Sequence, residues 1–195
     1  MDAHRLRYVT ARFPQLQGLI LIPLALLFLV MGAYQDGLFR LPGDEAPNVP
    51  GRWFFGGLLL VIASYYPITA WYRRRFGVAP QSIVQSQLLP ILVGIAVLPI
   101  GSAIQGSLPF NAPLSMIALL VGAYGVRHYP FRRHYLAAAA ILLFHALHRI
   151  LGIPPAIVGP LFDLCVAAAL AIAGIGDHLL LVSTLEPVKA VEAYV

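Results

Sequence analysis

The chain has 195 residues, of which 59% are hydrophobic and only 11% charged, and its mean hydropathy is +0.81. One small water-soluble core cannot enclose that much apolar surface, so lipid is the expected solvent for much of it. The formal charge of +5 sits at the ends of apolar runs, where anionic lipid and membrane insertion account for it; it is not read as nucleic-acid binding.

Crossing a hydrocarbon core of about 30 Å takes roughly 20 mainly apolar residues in a helix. Six segments approach that length: 16–35, 53–72, 84–104, 112–128, 136–152 and 156–176. The first follows Arg5, Arg7 and Arg12 as a secretory signal would. It is longer than a signal's apolar region and is followed by further apolar runs, so it reads as a transmembrane helix. Asp36 to Pro50, with Pro42, Gly43 and Pro47, is the longest hydrophilic link and favours turns over a folded domain.

The second segment closes on Trp71-Tyr-Arg-Arg-Arg-Phe76, and Tyr129-Pro-Phe-Arg-Arg-His-Tyr135 follows the fourth. Both place aromatics and arginines at one interface, as an aromatic belt with positive-inside charge would. Two short matches also suit a repeated helical hairpin without establishing it. The third segment starts after Pro80 with a polar face of Gln81, Ser82, Gln85 and Ser86, which serves either as a solvated helix start or as a cytoplasmic vestibule. Pro90 and Pro99 interrupt it and free backbone carbonyls.

Cys165, the lone cysteine, lies in the sixth segment; it excludes an intrachain disulfide, and burial of an inert thiol is expected. Beyond Gly174 and Gly176, Asp177 and His178 stand where the last helix is expected to end. The tail from 177 to 195 is too small to fold by itself.

Charge sets the orientation. With both termini in the cytoplasm, the inner side receives Arg5, Arg7, Arg12, Arg73, Arg74, Arg75, Arg127, Arg132, Arg133 and Lys189, while the outer side receives Arg40, Arg52 and Arg149. The expected fold is all-α: a polytopic transmembrane bundle of six helices, with residues 1–195 forming a single integral membrane domain.

The basic N-terminus, Tyr72-Arg-Arg-Arg-Phe-Gly77 and the closing run Gly176-Asp-His-Leu-Leu-Leu-Val182 together resemble a group of uncharacterised small bacterial membrane proteins. The resemblance covers the layout of most of the chain. It implies the bacterial inner (cytoplasmic) membrane, and it transfers no activity and no functional residue.

Ionisable groups inside a span are costly in hydrocarbon, so function is sought there first. His145 and His148 share a face of the fifth segment. Asp163 lies a third to halfway along the sixth, on a stripe that continues through Ala167, Leu170, Ala171 and Gly174. Small residues mark close helix contacts, so that stripe is expected to face inward. His145 and Asp163 then meet near mid-membrane, as a structural polar pair or as a proton or cation site. An i,i+3 histidine pair without further ligands does not make a metal site. Arg73, Arg74, Arg75, Arg132, Arg133, Asp177 and His178 are the candidate contacts for lipid or a cytoplasmic partner.

No G-x-S-x-G elbow, Walker A loop or H-E-x-x-H is present, and no cofactor is implied. The leading expectation is a non-catalytic membrane subunit or regulator, acting through helix packing and cytoplasmic contacts. Its partners would be membrane lipids and either other membrane subunits or copies of itself. The alternative is a small ion-coupled or proton-coupled transporter or channel built on His145 and Asp163.

Overall fold

The structure is a computed structural model and describes residues 3–35, 51–77, 108, 110–154, 157 and 161–192, with backbone alone at 14–15, 35, 51–55 and 186–192. The described residues form six α-helices and no strand: α1 Ala3–Ala11, α2 Leu21–Gln35, α3 Gly51–Phe76, α4 Ala112–Arg127, α5 His134–Ala146 and α6 Phe162–Glu192. Two short 3-10 turns, Phe13–Leu16 and Gly18–Ile20, carry the chain from α1 into α2.

Local chemistry sets several of these boundaries. Asn111 caps α4, its side-chain oxygen accepting the Leu114 N–H at 3.1 Å, which serves one of the donors a helix start leaves unpaired. α3 stops at Gly77, which adopts φ +92 and returns its N–H to the Arg73 carbonyl at 3.0 Å. That left-handed closure is strained for a residue with a side chain. After α5 the chain makes a short turn over 147–152. It closes with Gly152 at φ +71 and the Ile153 N–H on the His148 carbonyl at 2.9 Å.

α6 is the hub. It packs against α2 on one side and α5 on another; α4 pairs with α5, α3 lies beside α2, and α1 reaches the distal half of α6. Small residues set the α2–α6 approach. A Cβ on Gly174 would lie 2.6 Å from the Gly18 carbonyl oxygen, and one on Gly32 would lie 2.8 Å from the Asp163 Cβ. These two contacts run in opposite directions along the two chains, so the helices are antiparallel. Backbones that close gain dispersion contact over their whole crossing.

Two apolar clusters follow. Leu114, Ala118, Ala138, Leu142, Ala146 and Ala169 seal α4, α5 and α6. Val9, Phe13, Leu16, Tyr72, Leu180 and Leu181 seal the end where α1 lies. The inward stripe read from the sequence is present in part: Asp163, Ala167 and Gly174 are buried, while Leu170 and Ala171 are half-buried. It continues through Asp177, Leu181 and Thr184.

Within α6, Phe162–Leu185 is the one described stretch long and apolar enough to cross a membrane; Gly18–Tyr34, Ala112–Arg127 and His134–Ala146 are shorter apolar helices. The 84–104 segment, its polar face and prolines, and the 36–50 link lie outside the described residues.

Three expectations change, and one helix was not anticipated. The basic N-terminus forms a helix, α1, which buries Val9. The fifth segment is helical only to Ala146, because residues 147–152 turn. The sixth helix begins at Phe162 and runs to Glu192, so Asp177 and His178 lie within it rather than at its end. Cys165 is half-buried rather than enclosed.

Candidate functional site: a buried polar junction around Asp177

Asp177 is 1% exposed and receives groups from the turn between α4 and α5 and from the start of α5. His134 Nε2 donates to its Oδ1 at 3.0 Å and the Tyr135 hydroxyl donates to Oδ2 at 2.8 Å. The Arg132 guanidinium, also 1% exposed, brings Nε to 3.6 Å from Oδ1. Gly176 makes the approach possible, since a Cβ there would run into the His134 ring. The rings of Tyr124 and Tyr135 lie against the guanidinium, with centroids 4.9 and 5.7 Å from its carbon, an arrangement that favours a desolvated cation. A carboxylate in apolar surroundings is tolerated only when paired and hydrogen-bonded in this way.

The junction spreads to three further elements. Tyr72 of α3 is fully buried, and its hydroxyl lies 2.8 Å from His178 Nδ1 while accepting the Leu19 N–H at 3.3 Å. One phenol thus ties α3 to α6 and serves a backbone donor in the 3-10 turn that leads into α2. On the other side, Arg12 Nη1 lies 3.3 Å from His128 Nε2. A guanidinium only donates, so Nε2 accepts and His128 is neutral in this arrangement. Tyr8 stacks on Phe131 at 4.5 Å. Burial pushes its phenol above the ordinary range, and the charges of Arg132 and Arg12 pull it back by less.

The residues singled out in the sequence separate into three groups. Asp177, His178 and Arg132 belong to this junction, so Arg132 and Asp177 are interior groups and not surface contacts for lipid or a partner. Arg73, Arg74, Arg75 and Arg133 are exposed at the same end. His145, His148 and Asp163 are buried at the opposite end. His145 is in the last turn of α5 and Asp163 in the first turn of α6, where a carboxylate suits the helix dipole. His148 Nδ1 donates to the His145 carbonyl at 2.7 Å, and the His145 ring packs edge-on to Phe162 at 5.3 Å. The mid-span meeting of His145 and Asp163 expected from the sequence therefore becomes a placement near one end, because Asp163 lies in the first turn of α6.

Sequence reasoning missed His134, Tyr135, Tyr72, Tyr8 and His128 as members of a polar site. A signal existed for one part of it. The small-residue stripe of α6 steps from Gly174 to Asp177, which would have turned that carboxylate inward. Among the described residues no three of His, Cys, Asp and Glu converge to hold a metal ion. No family model, curated protein or solved structure matches this chain.

Proposed function

We propose that the chain is a multi-pass helical protein of the bacterial inner membrane that acts without catalysis. In this reading it is a subunit or regulator whose packed bundle holds an ordered, arginine-rich cytoplasmic face toward a partner. The carrying observation is an inverted distribution of polarity. Arg132, Asp177, Asp163, His145 and His148 are buried, while Leu59, Leu60, Ile62, Leu119 and Leu179 stand exposed. Water drives the opposite arrangement, whereas lipid favours polar groups that face protein.

Arginine placement supports the same reading. Arg5, Arg7, Arg12, Arg73, Arg74, Arg75, Arg127, Arg132 and Arg133 all fall on the α1 end, and Arg149 on the other, as positive-inside insertion requires. α6 is about 46 Å long at 1.5 Å per residue, well beyond a hydrocarbon core of about 30 Å. Its distal turns therefore extend toward whatever the arginine face meets.

The test has two stages. Carbonate-washed membranes should retain the tagged full-length protein, and release into the wash would sink the membrane reading. Mild-detergent purification should then bring down a stoichiometric protein partner, identified by mass spectrometry.

A second reading, ion-coupled transport, is favoured by one observation. Asp163 and Asp177 are both buried on α6, and 14 residues place them on nearly the same face about 21 Å apart. An α5 histidine lies near each level: His134 bonds Asp177 and His145 packs on Phe162. Proton flux in liposomes that is lost in Asp163→Asn and Asp177→Asn, from a protein that purifies alone, would replace the subunit reading with this one.

A further inference from the structure

The nine residues of α1 are too few to hold a helix alone in water, so its order depends on what it covers. Val9 is buried in one cluster with Leu180 and Leu181 of α6, and the rings of His4 and Tyr8 stack on Phe131 at 5.6 and 4.5 Å. A side-chain hydrogen bond fastens each end of the segment. Arg5 Nη2 donates to the Ser183 hydroxyl of α6 at 2.7 Å, and Arg12, the residue after α1, reaches His128 Nε2 at 3.3 Å.

These two bonds respond differently to a proton. The Ser183 hydroxyl does not titrate, whereas His128 accepts from Arg12 only through an unprotonated nitrogen. A proton on Nε2 removes that acceptor and sets two cations 3.3 Å apart. His128 is 8% exposed. α1 faces it with the Tyr8 ring at 6.0 Å and α4 with the Tyr124 ring at 4.7 Å. Arg132, in the turn after α4, gives its backbone N–H to the His128 carbonyl at 3.1 Å. Beyond the end of α4, burial first and then the charges of Arg12 and Arg127 push this imidazole below the ordinary histidine range. Asp177 of α6 pulls it back by less, its oxygens being engaged by His134 and Tyr135. With α1 away the balance reverses, because His128 is the C-terminal cap of α4, where a positive charge suits the helix dipole.

We infer that His128 is a proton-sensitive latch for α1: protonation of Nε2 breaks the Arg12 contact and frees α1 to leave the face of α6 that it covers. The proton and α1 compete for one nitrogen. Docking is therefore at full strength above the free-histidine value of about 6.5 and weakens as the pH falls from there. Release uncovers Leu180 and Leu181, beside the distal turns of α6. The latch goes beyond the subunit reading and stands without it, since every group it uses lies within this chain.

The test uses full-length protein in maltoside, with Cys165→Ala so that only introduced thiols react. Spin labels go on Thr10→Cys and Leu119→Cys, both exposed positions. Their distance distribution is read by electron resonance at about pH 7.5 and about pH 5.5, on either side of the histidine range. The wild type should show one distance at the higher pH and a second, longer population at the lower. The docked-to-undocked ratio should fall by up to about tenfold, the factor one proton gives over one pH unit below the free value. His128→Gln keeps an acceptor and cannot gain the charge, so it should stay docked at both values. Arg12→Gln removes the opposing cation and should flatten the response; should His128→Gln fail to fold, this half-buried position decides the matter. His4→Gln and His134→Gln should respond as the wild type does. The inference is overturned if the wild type keeps one distance at both values, if His128→Gln or Arg12→Gln moves as the wild type does, or if the response disappears in His4→Gln or His134→Gln instead.

Discussion

The two ends of the bundle hold the same residue types and use them differently. At the α1 end, Asp177 takes its hydrogen bonds from His134 and Tyr135, 43 and 42 positions away in the chain, and Tyr72 reaches His178 across 106 positions. At the other end, His148 bonds the carbonyl three residues before it, and Asn111 caps its own helix. Asp163 and His145 sit in terminal turns. The α1 end is joined by side-chain bonds between elements far apart in the chain; at the other end a backbone bond from the Asn111 N–H to the Ala146 carbonyl at 2.9 Å closes α4 on α5.

That contrast is open to measurement by thermal or denaturant unfolding in detergent. The largest effect is expected for Asp177→Ala. It strands Arg132, His134 and Tyr135 together and should cost about 3–5 kcal/mol, the range for breaking a buried pair. A loss under 1 kcal/mol would show that the junction does not join the helices. Next comes Gly174→Leu, which drives a side chain into the Gly18 backbone and should cost about 1–3 kcal/mol by overpacking. Unlike the carboxylate change, it should loosen α2 from α6, and a disulfide or spin-label distance across that crossing would register the separation.

Tyr72→Phe removes only the hydroxyl that serves Leu19 and His178. It should cost about 0.6–2 kcal/mol, the lower figure applying if the bond lies in lipid. The smallest effect is expected at the opposite end, where Asn111→Ala should cost about 1 kcal/mol through the lost cap. It should leave the α1 end unchanged in hydrogen exchange. Equal losses for Asn111→Ala and Asp177→Ala would erase the distinction between the ends.

Much of the architecture was legible because apolar length and arginine placement are local properties of the chain. The first, second and fourth segments fall within four residues of described helices or their leading turns. The inward stripe of α6 follows from small residues at helical spacing. The last boundary failed for a physical reason. Asp177 was read as polar, hence interfacial, although its partners lie more than forty residues upstream and no periodicity reports a partner at that separation. Asp163 failed in the converse way: it was placed well inside the sixth helix, but it lies in the first turn of α6. α1 was hidden by its polarity. Its helix is held by what it covers, with Val9 buried and Tyr8 stacked on Phe131, rather than by an apolar run of its own.

The unbroken run of α6 from Phe162 to Glu192 makes it a lever as well as a strut. Its first turn touches Gly32 and its middle touches Gly18, so the crossing at Gly174 is a natural fulcrum. From there to Glu192 the arm is about 27 Å. A tilt of roughly 10° about that fulcrum swings the far end by about 5 Å, enough to change what it reaches while leaving the crossing itself nearly still.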